Sequence, residues 1–243
     1  MRPVASNVLI CASAEAAAAE TAEQFVFTAA RSIATRDEFN VAIPGGSSPR
    51  RAFELLAEPA RASEVPWDRV CVFFTDERCV PPTHEESNYR LATELLLSKV
   101  PIPRDNVFRF AGELPPIEAA AQYEQIVRHK MGMRPRFDLV LLGMGEDGHT
   151  ASLFPDSPAL DDTEHIAVAN FVPKLDSHRL TLTAPVFRAA RNVIILALGA
   201  AKAASVREAL QGRVDERRLP VQSIRPRDGR LLWIVDQQAA SKL

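Results

Sequence analysis

The chain has 243 residues, 47% of them hydrophobic and 25% charged, with a formal net charge of −2. Such a composition suits a globular protein with a sizeable core, and one domain over 1–243 is expected because no linker, repeat or low-complexity tract divides the chain. It gives no electrostatic case for nucleic acid or an anionic membrane surface, so any anion site must be local. No apolar run approaches the roughly 20 residues of a membrane span, and the N-terminal MRPVASNVLICAS lacks the long apolar run and cleavage pattern of a signal peptide. The three cysteines, Cys11, Cys71 and Cys79, form no C-x-x-C and imply neither a disulfide framework nor a zinc knuckle. Cys11 and Cys71 sit in apolar strand-like runs and are expected as buried thiols in a reducing compartment, with the cytoplasm as the default. The terminal Ser241-Lys242-Leu243 spells a peroxisomal address that has meaning only in a eukaryotic source; the polar tail of a last helix is the simpler reading.

In chain order, Asn7–Ala12 has the pattern of a strand, followed by a long alanine-rich helix from about Ala14 to Arg36. Phe39–Ile43 is a second strand and Pro49–Ala57 a short helix. Val70–Phe74 is a third strand, after which a polar loop runs to Ser87 and a helix covers Tyr89–Lys99. Val107–Phe110 is a short strand, Ile117–Met131 a helix, and Phe137–Leu142 a continuous apolar strand of the kind buried on both faces. Ser157–Ser177 is less periodic and is expected to form a small α+β lobe or covering loops. Arg179–Thr183 alternates like an antiparallel strand. Val193–Leu198, a helix over Ala201–Leu210 and Leu231–Val235 complete the pattern. Strands alternating with helices predict an α/β fold, a mostly parallel Rossmann-like sheet with helices on both faces.

Open sheets of this kind bind ligands outside the carboxyl ends of their strands, and three polar loops fall there. In Pro44-Gly45-Gly46-Ser47-Ser48-Pro49 the glycines let backbone N–H groups approach a ligand, Ser48 is a natural N-cap and Pro49 opens a helix. A phosphate site and a plain capped turn explain this stretch equally well. In Phe73–Arg90, Asp76, Glu77 and Arg78 emerge directly from a strand end. His84, Glu85 and Glu86 follow, without H-E-x-x-H or helical ligand spacing, so no metal is expected. Ser87 has the position of an N-cap.

The third loop, LLGMGEDGHTASLFP, contains a formal G-x-G-x-x-G at Gly143, Gly145 and Gly148. A dinucleotide fingerprint needs its glycines to run into a sustained helix, yet only six residues separate Gly148 from Pro155. The better reading is a loop that exposes Asp147 and His149 above the sheet. Imidazole suits proton transfer near neutral pH, and flanking N–H groups suit a developing oxyanion.

The pieces PGGSSP (44–49), TDERCVPPTHEESN (75–88) and LLGMGEDGHTASLFP (141–155), with weaker echoes in PKLDSHRLTLT (173–183), LGAAKA (198–203) and LLWIVDQQAA (231–240), together resemble the glucosamine-6-phosphate isomerase/6-phosphogluconolactonase family. The resemblance runs almost end to end and implies a NagB/RpiA/CoA transferase-like fold. It further implies hydrolysis of 6-phospho-D-glucono-1,5-lactone to 6-phosphogluconate, with no metal and no organic cofactor. The partner it implies is that small phosphosugar lactone, with no nucleic acid or membrane; a monomer is the expected state. On this pattern His149 is the general base, Asp147 its companion and Asp76 a functional carboxylate beside the sugar. Gly45, Gly46 and Ser47 form the phosphate-side loop, and Arg78, Lys174 and Arg179 match positions suited to binding phosphate. The family's deaminase branch continues the histidine motif with an Asn-Glu pair, where this chain has Leu153 and Phe154. A sugar-phosphate sensor is the rival from another class, but no basic recognition helix is visible.

Overall fold

The computed structural model describes residues 7–243. Its large sheet comprises β1 (Asn7–Cys11), β2 (Phe39–Ile43), β3 (Val70–Phe74), β5 (Val107–Phe108), β6 (Leu139–Gly143), β9 (Asn192–Ala197) and β10 (Arg230–Asp236). These seven strands lie in the order β1-β10-β9-β6-β2-β3-β5, and every pairing is parallel. A smaller antiparallel sheet joins β4 (Asp76–Arg78), β8 (Ser177–Leu182) and β7 (Ala167–Val172) in the order β4-β8-β7. The helices are α1 (Ala14–Arg36), α2 (Arg50–Leu56), α3 (Pro59–Ala62), α4 (Asn88–Ala92), α5 (Pro116–Met131), α6 (Ala184–Ala189) and α7 (Ala203–Gln211). None of them is long and apolar enough to cross a membrane.

Local chemistry explains the main joints. Ser13 Oγ accepts from Ala16 N at 3.1 Å and starts α1, and Asp37, at φ 61°, ends it. Ala17, Ala18, Ala22 and Ala29 let the α1 backbone lie close to β1, β2, β9 and β10. Buried Glu124 of α5 accepts from Ile166 N at 2.6 Å and Ala167 N at 3.3 Å, tying the small sheet to that helix. The buried Tyr123 hydroxyl accepts from Phe74 N at 2.8 Å where β3 ends.

The sheet order sets the position of the site. From β2 the chain steps outward through β3 to β5; from β6 it steps the other way through β9 to β10. The loops after β2 and β6 therefore diverge and leave a crevice between them, the place where open parallel sheets take ligands.

Several sequence expectations need correction. Ser48 makes no capping bond; Pro49 occupies the cap position of α2 instead. Of the small lobe or covering loops expected over Ser157–Ser177, the lobe holds, since the segment contributes β7, but three charged residues expected in a polar loop form β4. The helix expected over Tyr89–Lys99 is α4 followed by a π-helical turn at Thr93–Leu97. Thr93 Oγ1 bonds back to Tyr89 O at 2.8 Å there, competing with the regular ladder. Cys71 is buried as expected, but Cys11 is half-buried because β1 is an edge strand.

Candidate active site

The loop after β2 brings backbone to the crevice rather than side chains. Gly46 has φ +82°, and a Cβ on Gly45 would collide with the Asn88 carboxamide. Asn88 Nδ2 in turn donates to Asp76 O at 2.9 Å, which locks this loop to β4. Its Oδ1 is buried without a partner among the described residues. The N–H groups of Gly46, Ser47 and Ser48 likewise have no intramolecular acceptor among the described residues, so they are free to meet an anion.

Asp76 and Glu77 are neighbours in sequence with opposite assignments, as alternation along a strand requires. The buried Asp76 carboxylate lines the cleft and accepts from Thr75 Oγ1 at 2.9 Å and Ser152 Oγ at 2.8 Å. Glu77 points the other way and holds the start of α4. It accepts from Asn88 N at 2.7 Å, Tyr89 N at 2.9 Å and Ser87 Oγ at 3.1 Å. Burial pushes its carboxyl above the ordinary range, against the pull of those backbone donors. Ser87 also caps α4 as the sequence implied, accepting from Arg90 N at 3.2 Å.

The loop after β6 presents a histidine–carboxylate pair. Gly145 is required because a side chain there would overlap the His149 ring. Gly148 turns the chain at φ +78° against Leu219, whereas Gly143 has open space. The residues after Gly148 form turns, not a helix, so the glycine pattern builds a histidine platform instead of a dinucleotide cradle. His149 Nδ1 lies 2.5 Å from Asp147 Oδ1, and the ring stacks on Phe154 at 4.3 Å between centroids. Burial works to raise the Asp147 carboxyl, but bonds from His149 and Lys174 outweigh it and hold the group well below the usual carboxylate range. An ionised carboxylate can only accept, so the Nδ1 it faces carries the proton. In the neutral ring Nε2 is then a free base.

The expected cations divide by position. Arg78 lines the cleft of about 210 Å³ together with Asp76, His149 and the glycine-serine loop. Lys174 lies instead on the far oxygen side of Asp147, with its ammonium 4.8 Å from the centre of the Phe154 ring. Arg179 stands opposite Arg78 in the β4–β8 pairing, its guanidinium bonded to Ser177 Oγ at 2.8 Å. Burial and the neighbouring Arg78 both lower its pKa. Two like charges directly opposite each other destabilise a strand pair, an arrangement that an anion between them would relieve.

Sequence reasoning missed Lys202 and Asn88. Lys202 lines the cleft from the loop after β9, donates to Met144 O, and is lowered in pKa chiefly by burial. Its loop is fixed by Asp236, which accepts from Gly199 N at 3.0 Å and Ala239 N at 2.7 Å. The signal was a lone lysine just beyond a strand's carboxyl end. Among the described residues no group of three or more His, Cys, Asp or Glu side chains is placed to hold a metal ion.

A histidine–carboxylate pair facing free backbone donors and cations, at the switch point of a parallel sheet, defines an α/β enzyme with a small anion-accepting cleft. The family model described as glucosamine-6-phosphate isomerases/6-phosphogluconolactonase matches residues 12–233. A human protein named 6-phosphogluconolactonase is 42% identical over 212 residues, spanning 86% of this chain and 82% of its own length. A Synechocystis protein of the same name is 38% identical, over 88% of each chain. The solved structure of 6-phosphogluconolactonase from Trypanosoma cruzi superposes with a TM-score of 0.87 at 28% identity, covering 99% of this chain and 98% of that one. The chain belongs to the glucosamine-6-phosphate isomerase/6-phosphogluconolactonase family. A monomeric glucosamine-6-phosphate deaminase also shares the fold, with a TM-score of 0.81 at 18% identity.

Proposed function

We propose that this protein hydrolyses 6-phospho-D-glucono-1,5-lactone to 6-phospho-D-gluconate, the second step of the oxidative pentose phosphate pathway, with His149 as the general base. The observation that carries the mechanism is the His149–Asp147 pair at the cleft; in this reading the carboxylate keeps the proton on Nδ1 and leaves the lone pair on Nε2. A δ-lactone is an activated ester, so water deprotonated by Nε2 attacks C1 without a covalent enzyme intermediate. The resulting imidazolium is stabilised by Asp147, and Lys174 keeps Asp147 ionised. In this reading Lys174 positions the couple instead of holding phosphate. The proton then passes from His149 to the ring oxygen as the C1–O bond breaks, giving the open acid.

Phosphate binding is assigned to Gly45, Gly46 and Ser47 with Arg78, supported by Arg179 and Lys202. This end of the substrate is remote from C1, so its binding energy serves orientation. In this reading Asp76, which lines the cleft, accepts from a sugar hydroxyl, and Asn88 stays behind the glycine-serine loop and supports it.

The deaminase-like alternative has little support at the site, because Phe154 is an apolar ring stacked on His149 where that branch carries a carboxylate. The test offers the purified protein the lactone and glucosamine 6-phosphate in parallel. Acid release above the spontaneous rate with the first, and no ammonia from the second, is the expected result. Ammonia release, or phosphosugar binding without turnover of either compound, would overturn the reading.

A further inference from the structure

At the opposite, amino edge of the large sheet lies a cavity of about 300 Å³ between α1 and the first residues of β9 and β10. Arg31, Arg36, Arg136, Arg191 and Arg230 all line it, in a chain whose net charge is −2. They converge from four segments, so sequence proximity does not explain the cluster. Gathering five guanidinium groups costs self-repulsion unless something opposes it.

The protein opposes only part of it. Asp138, at the entry to β6, sits beneath the group with Oδ1 2.9 Å from Arg36 Nε and 3.3 Å from Arg191 Nε. Its other oxygen accepts from Asn40 N at 2.9 Å, so the carboxylate is fixed and holds those two arginines in place. Burial nonetheless pushes the Asp138 carboxyl up, and Arg191 is lowered by burial and by repulsion from Arg36 and Arg136. Arg31, Arg136 and Arg230 have no carboxylate partner within ion-pair distance among the described residues. The six residues before Asn7 contain no Asp or Glu. Asp228 also lines the cavity, but it meets Arg136 through its backbone oxygen, at 3.3 Å. Phe27, 58% exposed, stands at the same wall.

We propose that this arginine cavity is a second ligand site, separate from the catalytic cleft, that takes a small molecule bearing a diphosphate. Guanidinium forks match phosphate oxygens two at a time, and three arginines without carboxylate partners call for more than one negative charge. The enclosure between helix and sheet favours a small molecule over an extended surface, and Phe27 offers an apolar face to whatever the diphosphate carries.

The experiment is calorimetric titration of the intact protein with inorganic pyrophosphate. Saturable binding is expected, weakened about tenfold or more in an Arg31→Ala, Arg230→Ala double variant, the factor expected for lost charge-assisted hydrogen bonds. Arg78→Met, which alters the catalytic cleft, should leave this binding intact. Arg31 and Arg230 are exposed, so the double variant should keep its melting temperature and its turnover without pyrophosphate; Arg230→Gln alone serves if it does not. No saturable binding at millimolar pyrophosphate would overturn the proposal. So would binding abolished by Arg78→Met and untouched by the double variant, or adhesion to phosphatidylserine vesicles with no affinity for pyrophosphate.

Discussion

The two loops that border the central crevice are both glycine-rich, yet they use glycine for opposite ends. After β2, Gly45 and Gly46 remove side chains so that the main chain itself faces the ligand and Asn88 can close in behind it. After β6, Gly145 and Gly148 clear space for one side chain, His149, and aim it. On the proposed function, one loop binds and the other reacts. Damage to the first should therefore appear in KM and damage to the second in kcat.

The largest expected effect is on the reactive side. His149→Ala should lower kcat by on the order of 10²–10⁴, the worth of a positioned base, with KM little changed. Gly145→Ala should follow it in direction, because the added methyl displaces the ring that the wild-type loop accommodates. Steady-state assays on both variants check this, and a loss confined to KM would erase the distinction between the loops. On the binding side, Arg78→Met should raise KM about tenfold or more while kcat stays near wild type, read from the same assays.

A smaller effect is linked to pH. The folded Asp147 carboxyl lies below its ordinary range, so the stabilisation it adds is complete above that range and disappears as pH falls through the folded value. Asp147→Asn should therefore melt about 2–4 °C below wild type at neutral pH, a modest figure because the carboxylate is 32% exposed. The gap should close as the solution is acidified below about pH 4. Melting curves across that interval decide it, and a gap that widens in acid would show that the pair is held by something else. Stability also separates Gly148 from Gly143, two glycines of the formal dinucleotide pattern, down to the smallest effect expected. Gly148→Ala should cost about 1–2 kcal/mol for a strained positive φ, whereas Gly143→Ala should change stability by less than about 0.5 kcal/mol. Denaturant titrations compare the two directly.

What the sequence disclosed follows from how far each signal reaches. Strands such as Val70–Phe74 and the inner residues of Leu139–Gly143 are legible because burial on both faces demands unbroken apolar runs. Strand β4 was invisible: Asp-Glu-Arg becomes a strand only because β8 pairs with it. Of the small sheet, β8 was foreseen from the alternation of Arg179–Thr183, whereas β7 lay in a stretch legible only as a small lobe or covering loops. His149, Asp147, Asp76 and the glycine-serine loop were legible as motifs. The different duties of Asp76 and Glu77 were not, since they depend on which face of a three-residue strand meets the cleft. Lys202 had only the weak signal of a lone lysine beyond a strand end and reaches the site through the sheet order, while Asn88 reaches it through its bond to Asp76 O, which nothing local announces. The same holds for the arginine cavity, whose members lie far apart in the chain.

The most direct test of the central claim is rescue of His149→Ala by added imidazole, measured as lactone hydrolysis above the spontaneous rate. A base on the reactive loop predicts that kcat recovers in proportion to the free-base form of imidazole, saturably and without change in KM. Failure of imidazole to restore any rate in a variant that is folded and still binds the phosphosugar would contradict general-base catalysis from this position.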